Sequence, residues 1–151
     1  MANVVEPVLT QGLLAALQEE RIVTVATIDF EKGTPNVSAI SWVYAMNEGT
    51  VRFAVDQRSR IVQNLRANEA ITLTVMAEES VYSIGGKAAI PTDRLEGIPL
   101  KLALVEVTIE EVRDVMFYGS KVSVEPKYEK TYDARAAAKL DQQVLTAIQA
   151  Y

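Results

Sequence analysis

Residues 51–65 read Val51-Arg52-Phe53-Ala54-Val55-Asp56-Gln57-Arg58-Ser59-Arg60-Ile61-Val62-Gln63-Asn64-Leu65. Val51, Phe53 and Val55 alternate with Arg52 and Ala54, the period-2 pattern of a half-buried strand. Beyond Asp56 the period changes. From Ser59 to Asn68, Ile61, Val62 and Leu65 have helical spacing, and Ser59 or Asp56 suits the N-cap. A strand therefore runs directly into a helix, whose first turn presents unpaired N–H groups and a partial positive charge, a setting that attracts phosphate. Ser59 adds a hydroxyl donor there, and Arg58 and Arg60 add guanidinium forks. The same residues also describe a Ser-capped helix with two solvated arginines, so both readings stand on the pattern alone.

Working outward, Pro7 to Glu20 places Leu9, Leu13 and Leu17 at i+4 intervals and reads as an amphipathic helix. Ile22–Ile28, Asn36–Met46 and the strand from Val51 are separated by the turns Gly33-Thr34-Pro35 and Asn47-Glu48-Gly49, which predicts a three-stranded antiparallel meander. After the central helix, strands are expected around Ile71–Val75, Val81–Ile90 and Val105–Glu110. Glu110-Glu111 breaks the last alternation in the manner of a bulge. Pro91–Pro99 reads as a loop and Gly119–Thr131 as irregular chain. From about 133 to 150 an Ala-rich run carries Leu140, Val144, Ile148 and Tyr151 along one side, a terminal helix. The expectation is a mainly β chain of about six or seven antiparallel strands in a small closed or partly closed barrel, with N-terminal, central and C-terminal helices.

Composition narrows the chemistry. The chain has 151 residues, with 20 acids against 15 bases, and contains neither cysteine nor histidine. A length of this order fits one domain, 1–151, that buries about two-thirds of its unfolded surface. Without Cys there is no disulfide, thiol nucleophile or iron–sulfur ligation. Without His there is no Ser-His-Asp triad, imidazole acid/base or ordinary zinc site. An oxygen-only Mg²⁺ or Ca²⁺ site survives this exclusion, but no EF-hand spacing of acids appears, and no metal is expected. The net charge of −5 disfavours nucleic acid. No apolar run reaches the roughly 20 residues of a membrane span, and Met-Ala-Asn-Val-Val-Glu lacks the features of a leader. A cytoplasmic protein whose chemistry comes from a borrowed group is the expectation.

A resemblance gives that group a name. The strand–Phe53-Ala54-Val55-Asp56-Gln57-Arg58-Ser59-Arg60–helix–Asn64-Leu65 run, then Asn68 and a strand, resembles the pyridoxamine 5′-phosphate oxidase-like family of FMN-binding split barrels. That family reads aromatic-x-Thr-x-x-x-Ser-Arg-Lys-x-x-Asn-Leu here. Ala26-Thr27-Ile28-Asp29 with Gly33-x-Pro35 is similar to its opening hairpin, and Gly86-Lys87-Ala88 to its later Gly-x-Ala strand, so the likeness covers residues 13 to 110. It implies a split barrel, a homodimer and FMN in a groove between the subunits. Ser59 and Arg60 fall on the family's phosphate-binding serine and arginine, and Val55 and Asp56 on the strand end beside the flavin. Arg58 is added on charge and proximity.

Two positions depart from the pattern. Ile61 stands where the family has a phosphate lysine, and Ser38 stands where a basic residue is common, keeping a donor without its charge. Trp42 is either core or dimer contact, or an aromatic wall for a planar ring. Gly85-Gly86 marks a bulge or a close approach by a ligand or partner, and Lys87 reads as a solvated charge. Glu106, Glu110, Glu111, Arg113 and Asp114 read as a charged, solvent-facing set. Haem is disfavoured, since only Tyr or Met remains as an axial ligand. Pyridoxamine phosphate oxidase activity itself is not implied, because Glu125, Glu129 and Asp133 make the later chain acidic where that enzyme's substrate contacts are basic and aromatic. The resemblance leaves an FMN-dependent oxidoreductase of unknown substrate, a non-catalytic flavin- or ligand-binding dimer, and a structural dimer with a decayed site.

Overall fold

A computed structural model describes residues 5–151; the Met1–Val4 part of the stretch read for a leader lies outside them. The strands are β1 (Val5–Glu6), β2 (Val23–Ile28), β3 (Pro35–Ile40), β4 (Val43–Asn47), β5 (Thr50–Asp56), β6 (Ala70–Ala77), β7 (Ser80–Thr92) and β8 (Leu102–Asp114). The helices are α1 (Gln11–Ala16), α2 (Arg60–Ala67) and α3 (Ala134–Ala150). The sheet is antiparallel in the order β3-β2-β6-β7-β8-β5-β4, with β1 added to β8. This is a β split barrel with flanking helices, as the strand and turn pattern predicted.

The expected meander is not formed. β2–β3 and β4–β5 are separate hairpins at opposite ends of the sheet order. Ser41-Trp42 breaks the Asn36–Met46 run and carries the chain from one end to the other, which turns the sheet into a barrel. The alternation that would put Ser38, Ile40, Trp42 and Tyr44 on one face of a single Asn36–Met46 strand is broken at the same place. Ile40 packs on the main core, whereas Trp42 and Tyr44 pack on a second cluster with α3. Periodicity alone shows only that both halves are β-like.

The main core fills the barrel with Val23, Val25, Val51, Phe53, Leu73, Ile84, Val105 and Val107. Helix α1 is shorter than Pro7–Glu20, capped by Thr10 and ending as Gln18 and Glu19 turn back on Ala15 and Ala16. Its Leu9, Leu13 and Leu17 are nonetheless buried in the barrel core. The backbone ties Leu9 to Glu48 (2.8 Å) and Ala45 to Leu17 (3.0 Å), fixing α1 beside β4. Gly86 lies where the β7–β8 register shifts, with Gly85 opposite Glu111 and Gly86 opposite Ile109. A Cβ on Gly86 would overlap the Thr108 carbonyl oxygen, so the bulge itself requires glycine there.

Helix α3 builds a second small core on the outer face of the barrel. Val144 and Ile148 pack with Ala54, Leu102 and Leu104, and Trp42, Tyr44 and Leu140 close its sides. That burial explains why Leu102–Val105 is covered on both faces. The α3 stripe runs Ala137, Val144, Ile148 rather than out to Tyr151, which is exposed and donates its hydroxyl to Pro91 O (3.0 Å). Trp42 Nε1 donates to Asp141 (2.7 Å), Lys130 bridges Glu20 and Asp141, and Arg52 donates to Ile148 O (2.9 Å).

The junction of α2 with the β2–β3 hairpin hangs on Asn64, which is 0% exposed. Its Nδ2 donates to Thr27 Oγ1 (2.9 Å) and Asn36 Oδ1 (2.8 Å), while its Oδ1 accepts from Phe30 N (2.9 Å). Removing the amide orphans the buried Thr27 hydroxyl and takes a partner from the less buried Phe30 N–H and Asn36 Oδ1, so Asn64→Ala should lower unfolding free energy by on the order of 3 kcal/mol. Urea denaturation checks this, and a loss near zero would show that water replaces the amide.

Candidate functional site

The strand β5 ends at Asp56 and α2 begins at Arg60, so the chain places Arg58, Ser59 and Arg60 together at one solvent-open corner. Ser59 is the N-cap: its Oγ accepts from Ile61 N (3.1 Å). The hydroxyl proton is still available for donation. Asp56 organises the turn, accepting from Arg58 N (2.8 Å) and pairing with the Arg58 guanidinium (3.3 Å), while its own carbonyl accepts from Ser59 N. That partner draws the Asp56 carboxyl below its usual range. Arg58 projects into water at 86% exposure.

Arg60 is more constrained. Its Nε donates to Asp29 Oδ1 (2.7 Å), its Nη2 donates to Glu31 Oε1 (2.8 Å), and its guanidinium lies 4.7 Å from the Phe30 ring centre. Asp29 is 4% exposed and also accepts from Lys32 N (2.8 Å) and Glu31 N (3.1 Å). The Arg60 hydrogen bond and the Lys32 N–H hold its carboxyl far below the carboxylate range, and the same pairing raises Arg60. The β2–β3 loop thus wraps the first turn of α2, with Gly33 at φ 73° allowing it to close.

The other sequence candidates lie elsewhere. Val55 points into the barrel opposite Ala103. Ser38 is half-buried on β3, opposite Val25. Trp42 gives its indole N–H to Asp141 and packs with α3. Among the described residues no hydrogen bond or ring contact joins Ser38, Val55 or Trp42 to the corner. Ile61 is 5% exposed in the core, so the position of the family lysine faces inward here. Lys87 is exposed and pairs weakly with Glu69. Of the charged set on β8, Glu106 is turned to Arg52 (2.8 Å) and Asp114 to Ser80 (2.7 Å), both half-buried rather than free in solvent.

The corner holds two guanidiniums against three carboxylates, Asp29, Glu31 and Asp56. Asp56 and Glu31 occupy guanidinium edges of Arg58 and Arg60 that an anion would otherwise meet. Both are well exposed, and exposed pairs of this kind contribute little because water and salt screen them. The Ser59 hydroxyl and the N–H groups of Arg58 and Arg60 are donors of the types that suit a phosphomonoester. In the sequence Asp29 and Asn64 are parts of a pattern that assigns neither a role, and nothing in the pattern marks Glu31. The available signal was an Asp directly after a strand and before a Gly-containing turn, the Asx-turn arrangement. A separate cleft of about 430 Å³ on the sheet, lined in part by Ala26, Thr72, Gly85, Gly86 and Glu111, does not include this corner.

The model of the family described as pyridoxamine 5′-phosphate oxidase matches residues 9–116, and the chain belongs to that family. The match ends at Met116, before α3. No curated protein matches the chain. Among solved structures, a candidate pyridoxamine 5′-phosphate oxidase from Lactobacillus delbrueckii is 16% identical, with TM-score 0.63, 74% of this chain and 98% of that one covered. HupZ of Group A Streptococcus is 17% identical, TM-score 0.60, with 77% and 99% covered. A heme binding protein from Mycobacterium smegmatis is 16% identical, TM-score 0.55, with 74% of this chain but 55% of that chain covered. Identities this low show the shared fold.

Two outcomes follow for the corner. Ile61→Lys places an ammonium in the core, so it should destabilise the protein by on the order of 2–4 kcal/mol and leave phosphate binding no tighter. A urea midpoint equal to the parent's would mean the lysine escapes to the surface. For Asp29, a depressed folded value means stability is complete above the ordinary carboxylate range and falls as pH drops through it. Asp29→Asn should therefore flatten the loss of stability as pH falls below about 5, and an unchanged slope would assign that loss to other carboxylates.

Proposed function

We propose that the chain is an FMN-binding flavoprotein of the cytoplasm, acting as a homodimer, with the flavin phosphate held by Arg58, Ser59 and Arg60 at the start of α2. The observation that carries this reading is the gathering of three consecutive phosphate-type donors at a helix start in a chain of this family. Asp56 and the end of β5 lead into the same corner. The bound flavin would supply hydride transfer, so the protein acts as an oxidoreductase whose own residues bind and orient. With no histidine or cysteine in the chain, proton supply falls to tyrosine, lysine or solvent. The substrate is a small molecule that these residues do not specify.

The heme binding neighbour suggests a second ligand class, but the lack of His and Cys leaves only tyrosine and methionine to ligate iron. A structure called F420 reductase, 17% identical with TM-score 0.56, favours the flavin side, since a deazaflavin is a similar planar ring. A non-catalytic flavin carrier remains the alternative to an enzyme, and the reaction separates them. NADH or NADPH should bleach the bound flavin faster than free FMN if the protein is an enzyme.

Titration of the purified chain with FMN and with riboflavin, followed by flavin fluorescence, tests the phosphate contact. FMN should bind more tightly than riboflavin, and Arg58→Ala should weaken FMN roughly tenfold. Equal affinity for the two ligands, or none for either, refutes the proposal.

A further inference from the structure

Arg60 is the one donor of the corner that is already held from two sides, and the two holders differ in kind. Asp29 is buried, and its Oδ2 is fixed by the N–H groups of Glu31 and Lys32, so its Oδ1 offers the Arg60 Nε a stationary acceptor at 2.7 Å. Asn64, through Phe30 N, ties the same loop to α2, and the Phe30 ring limits the guanidinium from another direction at 4.7 Å. Glu31 sits at the loop tip with its side chain 62% exposed and meets Nη2 from the solvent side at 2.8 Å. One acid is part of the frame and the other is in exchange with water.

We infer that Asp29 positions the Arg60 guanidinium for a phosphate, and that Glu31 is a tethered anion that the phosphate displaces. This rests on the flavin-phosphate reading above. Fixing the Nε edge on Asp29 leaves the Nη edges as the ones an incoming anion meets, and removes the rotamer freedom that an unheld arginine loses on binding. Glu31 occupies one of those edges with a single negative charge, where a phosphomonoester brings nearly two and three acceptor oxygens. The exchange is therefore favourable for a phosphate and unfavourable for a neutral ligand. Asp29 stays ionised throughout the range in which phosphate titrates, because Arg60 and the loop N–H groups stabilise its charge.

The two acids should consequently act in opposite directions, and only on the ligand that carries a phosphate. In FMN and riboflavin titrations of the full chain, Glu31→Gln should tighten FMN roughly three- to tenfold and leave riboflavin unchanged. Asp29→Asn should weaken FMN roughly tenfold, again without moving riboflavin, and Asp29→Glu should restore part of the loss. A purely structural role for Asp29 would instead shift both ligands together, and that result overturns its positioning role. Should Asp29→Asn fail to fold, Glu31→Gln, on an exposed side chain, carries the test by itself, and an FMN affinity that is unchanged or weaker refutes the displacement. If the parent shows no preference for FMN over riboflavin, the flavin-phosphate reading falls and this inference with it. If the parent prefers FMN and Arg58→Ala removes that preference while Glu31→Gln is silent, only the present inference fails.

Discussion

A fully buried amide needs all its hydrogen-bonding groups satisfied, and Asn64 meets that demand with three partners drawn from one hairpin: Phe30 N, Thr27 Oγ1 and Asn36 Oδ1. Left unpaired in the core, such groups would each cost on the order of 1–3 kcal/mol, so α2 has one satisfied seat against the β2–β3 loop. The rest of the corner follows from that seat. Phe30 is held next to α2, which brings its ring beside Arg60, and the loop then directs Asp29 and Glu31 to the same guanidinium. Hydrophobic burial of Ile61, Val62 and Leu65 fixes which face of α2 turns inward, while the amide fixes where along the barrel it sits.

The element types were largely legible because each depends on local periodicity. The strand–helix change at Asp56–Arg60, the buried leucines of α1, the bulge near Glu110 and the terminal helix all follow from spacing. Strand partners were less legible. Val43–Asn47 pairs with β5 and Pro35–Ile40 with β2, yet both segments have similar β-forming residues, and nothing local announces the crossing at Ser41-Trp42. Register and neighbour order are set by closure of the barrel, a global constraint. The phosphate-type donors could be seen because they are consecutive. The carboxylate partners of Arg60, Asp29 and Glu31, lie about thirty positions upstream and could not be seen as partners without the fold.

Helix α3 shows the same limit from another side. Its apolar stripe declares a helix that must be covered, but the covering surface is built by Ala54, Leu102 and Leu104 from two strands that also face the barrel core with their other residues. A run such as Leu102-Ala103-Leu104-Val105, apolar at every position, is the trace of that double burial. Trp42 illustrates how the site reading and the packing reading compete. An indole with its N–H on Asp141 and its ring against α3 is already supplied with the partners a buried tryptophan requires. It is committed to docking the helix that lies beyond the family match.

On the proposed flavin-phosphate reading, the charge arrangement at α2 leaves Arg60 a use although Ile61 stands at the lysine position. With Ile61 directed into the core, a cation cannot return to that position without burying an unpaired charge. The remaining positive groups are balanced by neighbouring acids, which keeps an unliganded corner from holding unpaired arginines beside one another. Such a balance lowers the affinity for any anion, since each incoming charge must replace one already present. On the same proposal, it makes binding selective for ligands carrying more negative charge than a carboxylate, because those alone gain by the replacement. A buried acid behind Arg60 and an exposed acid in front of it therefore divide two tasks, geometry and competition, between residues two positions apart on one loop.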